Sequence, residues 1–174
     1  RASFGYIDHN TIIKDRKYDN FVAKLDATQK AFYDRLVGEF GVFGSSFSNK
    51  DIFDTQMLFY SAACQNPTFP SGRDASGNWT KNQTAYRINP PMAVLGEKND
   101  QKDLNFNTHL RLSYEFYPWL QLVAFGSYSY SSTETSQFCP TWVWAQGNVV
   151  RGESKRQEWL GNVSLNFTKS WGPH

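Results

Sequence analysis

Residues 104–116 read LNFNTHLRLSYEF, and their alternation leaves few folds open. Leu104, Phe106, Leu110, Leu112, Tyr114 and Phe116 share one parity, with Thr108 among them. Asn105, Asn107, His109, Arg111, Ser113 and Glu115 hold the other. Successive side chains of a strand point to opposite faces, so this is a strand with one apolar and one polar face. It is also long, since an ordinary strand has about 5–6 residues. At roughly 3.3 Å per residue such a strand can tilt across a membrane.

The same alternation recurs along the chain. Residues 2–13 carry Phe4 and Tyr6 in phase, and 21–28 place Phe21, Ala23, Leu25 and Ala27 on one side. Residues 36–47 do so with Leu36, Gly38, Phe40 and Val42. Residues 120–130 follow with Leu120, Leu122, Ala124, Tyr128 and Tyr130, although Val123 and Phe125 break the polarity of the opposite face. Residues 155–168 close the series with Trp159, Val163, Leu165 and Phe167. About six antiparallel strands are therefore expected. Short reversals fall near 29–35, 117–119 and 169–173, a modest charged one at 14–20, and long connections at about 48–101 and 131–153. Within the first long connection, 51–63 reads as a short helix capped by Asp51 or Asp54.

Short turns at one end and long loops at the other suit a transmembrane β-barrel better than a soluble sandwich. The aromatic content agrees. Phe, Tyr and Trp make up 17% of the 174 residues, and Phe32, Tyr33, Phe116, Tyr117, Trp119 and Trp171 sit near turns, as an interfacial girdle would. A mean hydropathy of −0.58 does not argue against a barrel, whose apolar residues occupy alternate positions only. No run of 18 apolar residues is present, so a transmembrane helix is not expected. The chain starts at Arg1 without an apolar leader, as a mature or excerpted chain would. A net charge of +2 gives no reason to expect nucleic acid as a partner. Six strands cannot close a membrane barrel, which needs about eight, so the segment is expected to be part of a larger wall.

The spacing of chemistry-bearing residues points away from an enzyme, and no cofactor or metal is expected. His9, His109 and His174 are far apart, and no Cys-x-x-Cys or His-x-x-x-His spacing occurs. Glu97, Asp100 and Asp103 lack the EF-hand pattern and read as a solvated acidic turn. Lys24, Asp26, Glu39, His109, Arg111 and Glu115 are the candidate lumen-facing residues. Phe69, Trp79, Tyr86, Trp142 and Trp144 are candidate loop aromatics for substrate or partner contact, with loop packing as the plainer role. Arg73, Asp74 and Arg87 are loop charges to which no role is assigned. Cys64 and Cys139 both fall in expected outside loops and either pair as a disulfide or stay separate.

Several segments occur in an order that resembles the SusC/RagA family of TonB-dependent outer-membrane transporters. They are NTIIK at 10–14, LDATQK at 25–30, NPTFP at 66–70 followed by SGNW at 76–79, NPPMAVL at 89–95, LSYEFYPWLQL at 112–122 and NFTKSWGPH at 166–174. The resemblance spans nearly the whole chain, but its motifs are architectural rather than chemical. It implies a 22-stranded barrel with an N-terminal plug in the outer membrane of a Gram-negative, Bacteroidota-like bacterium. It also implies import of oligosaccharides or peptides energised through TonB, and a SusD-like surface lipoprotein as lid. Outer-membrane lipid is then a further partner. No plug or TonB box lies within these residues. The competing functions are a non-transporting barrel acting in adhesion or assembly, and a soluble glycan-binding β-domain.

Overall fold

The structure is a computed structural model that describes residues 1–174 except 15, 53, 69–71, 81–93, 144, 170, 171, 173 and 174. It is an all-β antiparallel sheet of six strands joined in sequence order, with one helix defined among the described residues. The strands are β1 (Ala2–Asn10), β2 (Lys17–Ala31), β3 (Leu36–Asp51), β4 (Lys98–Tyr117), β5 (Leu120–Cys139) and β6 (Asn148–Phe167). The sheet does not close on itself: β1 pairs with β2 alone and β6 with β5 alone.

The register aligns the apolar parities of all six strands. Leu110 of β4 lies between Phe40 of β3 and Gly126 of β5, and Phe40 in turn meets Ala27 of β2. Leu112 lies between Gly38 and Ala124, and Ala124 meets Val163 of β6. Farther along, Phe106 meets Tyr130, and Tyr128 meets Trp159 with ring centroids 4.3 Å apart. A one-residue slip in any pair would turn that strand's apolar set to the polar face, which is why the alternation fixes the register. Nothing among the described residues covers the apolar face: Phe4 is 70% exposed, Leu110 46% and Trp159 78%.

The strands run well past the alternating zone. Residues 131–139 and 148–153, expected within a loop, pair across β5 and β6, so the connection is confined to 140–147. Likewise β3 reaches Asp51 and β4 begins at Lys98, which shortens the expected 48–101 connection at both ends. The stretch SSTETSQ is polar on both faces, so it has no apolar signature of a strand. It is rich in Ser and Thr, whose hydroxyls fit cross-strand pairing outside an apolar layer. The helix α1 (Thr55–Cys64) forms where expected, and Asp54 is its cap, accepting from the Met57 amide at 2.8 Å. Asp51 instead accepts from its neighbour Ile52 at 2.8 Å.

The two ends of the sheet differ. At one end the reversals are 32–35 and 118–119. Phe32, Tyr33 and Asp34 are three consecutive non-glycine residues with positive φ, a conformation that costs of order 1 kcal/mol or more per residue. Phe116 is bulged out of the β4–β5 ladder yet keeps an edge-on contact with Tyr114 at 4.7 Å. Tyr117 stacks on Trp119 at 5.1 Å, and Lys169 lies 5.6 Å from the Trp119 ring. At the other end lie the connections 11–16, 52–97 and 140–147. That end holds the only buried apolar cluster among the described residues, formed by Ile52, Leu58 and Val94 with Ile13 and Leu95 against it.

Candidate functional site

The polar parity of the strands forms the second face, and it gathers five of the six candidate lumen residues. Asp26, Gly41, His109 and Ser127 lie in one row across β2–β5. Thr28, Glu39, Arg111 and Phe125 form the next row. Charges there are neutralised locally: Lys24 is 3.2 Å from Asp26 and Arg111 is 3.9 Å from Glu39. These side chains are half-exposed, so each pair adds little stability, about 0–1 kcal/mol. Glu115 stands apart, opposite Gln121 at the turn end.

His109 has a shaped place in this face. It lies across Gly41, where a Cβ would stand 2.2 Å from the imidazole Cε1. On its other side it stacks on Phe125 with centroids 6.3 Å apart. The apolar Phe125, an exception to the alternation, thereby has a partner on the polar face. Between β4 and β6, a recess of about 200 Å³ is lined by Asn105, Asn107, Ser129, Tyr130, Ser131, Arg156 and Glu158, the last two joined as an ion pair. Amides, hydroxyls and paired charges make this face a hydrogen-bonding surface with little net field.

The two described loop aromatics, Trp79 and Trp142, belong to separate local structures. Trp79 closes a small turn by bridging Arg73, whose guanidinium lies 4.7 Å from the ring centroid. Asp74 shapes the same turn, accepting from the amides of Ser76 and Asn78, each at 2.9 Å. Both loop charges thus serve the turn. Trp142 is partly exposed and lines a separate cavity of about 360 Å³ with Phe138, Pro140 and Val149. Phe69, Tyr86, Arg87, Trp144, Trp171 and His174 lie outside the described residues.

A cluster at the long-loop end has no counterpart among the sequence expectations. Arg16 is buried and donates to three carbonyls: Asp51 at 3.0 Å, Leu95 at 2.9 Å and Glu97 at 2.6 Å. Glu97, expected in a solvated turn, is 3% exposed. Its carboxylate accepts from the Asp54 amide at 3.2 Å and from the Cys139 thiol at 3.6 Å. One arginine and one glutamate therefore tie the β1–β2 connection, the end of β3, the start of α1 and the end of β5 together. Burial raises the Glu97 pKa above the usual carboxylate range, against hydrogen bonds that lower it. Cys139 is pushed up to about 11, first by burial and then by the charge and hydrogen bond of Glu97. Both groups lie beyond the apolar band. The disulfide left open by the sequence is not formed: Cys64 is an exposed free thiol at the end of α1 and Cys139 is a buried one. The only sequence signal for this cluster was the Asp54 cap, because buried charges separated by dozens of residues follow no local pattern.

No protein-family model matches the chain, and no curated protein matches it.

Proposed function

We propose that this sheet is a stretch of the wall of an outer-membrane β-barrel, belonging to a TonB-dependent transporter of the SusC/RagA kind. The observation that carries the reading is the uncovered apolar face shared by all six strands. A soluble sandwich would pack that face against a second sheet. In a barrel it faces lipid, and the polar face with His109, Arg111 and Glu39 faces the lumen. The band from Leu104 to Phe116 spans about 40 Å along the strand, or roughly 30 Å along the membrane normal at a barrel tilt near 45°. The free edges of β1 and β6 call for further strands, since lipid does not tolerate an open edge. Short turns then lie on the periplasmic side and the long connections outside, under a SusD-like lipoprotein lid. The cargo is an oligosaccharide or peptide, and the energy reaches the barrel through TonB and a plug.

Two measurements test this. Membrane fractionation with heat-modifiable migration on gels reports a folded outer-membrane barrel, and a soluble folded monomer without detergent would refute the wall. The gene upstream of Arg1 should encode a plug and a TonB box. Their absence would leave a non-transporting barrel for adhesion or assembly.

A further inference from the structure

The connection between β1 and β2 folds back on itself and leaves a recess of about 500 Å³, lined by Asn10, Thr11, Ile12, Lys14, Arg16, Lys17 and Lys50 among others. Four of its described lining residues are cations. Lys17 and Lys50 are direct cross-strand partners, a like-charge pairing that destabilises a sheet. Lys14, Lys17 and Lys50 are exposed, and none is in an ion pair among the described residues. Asp100 is the register partner of Lys50 on its other side, and it too forms no ion pair there. Arg16, 8% exposed, uses both terminal nitrogens on carbonyls, while its buried Nε has no partner among the described residues. The recess is built rather than incidental. The Thr11 amide donates to the Arg16 carbonyl at 3.1 Å, the Arg16 amide to the Ile13 carbonyl at 3.2 Å, and Ile13 packs on the buried cluster.

Its position identifies the ligand. Lys17 shares its parity with Phe21, Ala23 and Leu25, and Lys50 shares its own with Phe40 and Val42, so both stand on the apolar face of the sheet. They lie a few residues beyond the last apolar side chains, at the long-connection end. We propose that this recess binds the phosphate of an anionic lipid headgroup in the outer leaflet, one whose charge no headgroup amine cancels. The phosphate lies between Lys17 and Lys50, with Lys14 at the mouth and the Arg16 guanidinium beneath. The anion would relieve the Lys17–Lys50 repulsion, and a phosphate offers enough oxygens for several charge-assisted bonds. The headgroup source rests on the barrel reading above, whereas the anion site itself does not.

The test uses the whole protein in a zwitterionic detergent, first checked for heat-modifiable migration. Short-chain phosphatidic acid, the matching phosphatidylcholine and inorganic phosphate are each titrated, with thermal unfolding and ³¹P NMR as readouts. Phosphatidic acid should raise the Tm and phosphatidylcholine should not. The double variant Lys17→Gln/Lys50→Gln should bind phosphatidic acid about tenfold more weakly or worse. Without lipid, the same variant should unfold no earlier than the parent, because the repulsion is gone. Arg151→Gln, on β6 and far from the recess, should change nothing. Equal binding by parent and double variant, or no binding at all, would overturn the site. Inorganic phosphate binding as tightly as phosphatidic acid would overturn the headgroup assignment. A protein that migrates as a barrel yet fails the titration loses this inference alone. One that is not membrane-borne loses the wall reading, and the lipid source with it.

Discussion

The wall and the knot at its long-connection end are stabilised in opposite ways. In the wall, Leu110, Leu112, Val163 and Leu165 stand in register across the strands, each more than 40% exposed. In the knot, Ile52, Leu58 and Val94 are nearly sealed, and Arg16 and Glu97 are buried with them. The knot pairs most of its own polar groups, with the Arg16 Nε the exception. The wall leaves its apolar face uncovered among the described residues. A single polypeptide thus carries one region that buries its own apolar groups and one whose apolar face is uncovered among the described residues.

The largest effect that separates them is a charge on the wall. Leu110→Arg should destabilise the protein in a bilayer by about 2–4 kcal/mol, measured by denaturant unfolding in vesicles. An exposed position on a water-facing sheet would lose no more than about 0.5 kcal/mol. The next effect belongs to the knot. Arg16→Met removes the donor to three carbonyls, and each buried group left without a partner costs about 1–3 kcal/mol. The loss should appear as faster proteolysis or hydrogen exchange at 94–97, with the wall strands still protected. A global loss of protection would mean that the knot supports the wall.

A smaller effect lies on the polar face. Gly41→Ala places a methyl group against the His109 imidazole, which must leave Phe125 to make room. About 1 kcal/mol is expected, with most of it recovered in the double variant with His109→Ser. Equal losses in the single and double variants would mean that the imidazole is not what Gly41 accommodates. The smallest effect is a matter of sign. A carboxyl whose pKa is raised by folding favours the folded state in its protonated form. That contribution is complete below the unfolded pKa and is lost as pH rises through the raised folded value. The knot should therefore tighten as pH falls from neutral towards the ordinary carboxylate range. Glu97→Gln should abolish this dependence and be neutral or stabilising at pH 7, because an amide oxygen can still accept from Asp54. Exchange rates at 94–97, corrected for intrinsic pH dependence, report it. A looser knot on acidification would reverse the assignment.

The contrast also explains what the sequence disclosed. Alternation is local, so the strands, their faces and the tight turn before Leu120 were legible residue by residue. Strand ends were not, because residues 131–137 alternate nothing apolar and pair only through neighbours already in place. The charged pairs on the polar face followed from parity alone once the register was known, as with Glu39 opposite Arg111. The knot was illegible for the opposite reason. Arg16, Glu97 and Cys139 lie dozens of positions apart, and each alone looks like a solvated charge or a lone thiol. The aromatics were the least informative, since Trp79 and Trp142 serve different local structures.

If the sheet is a barrel wall, as proposed, the even-numbered residues from 104 to 114 on β4 face lipid and the odd-numbered ones face water. Single cysteines carrying a nitroxide at 106–112, with Cys64 and Cys139 replaced, can be read in a reconstituted bilayer for contact with oxygen and with a polar nickel chelate. A barrel wall gives a period of two: oxygen contact at 106, 108, 110 and 112, chelate contact at 107, 109 and 111. Oxygen contact without alternation, or chelate contact on both faces, would contradict it.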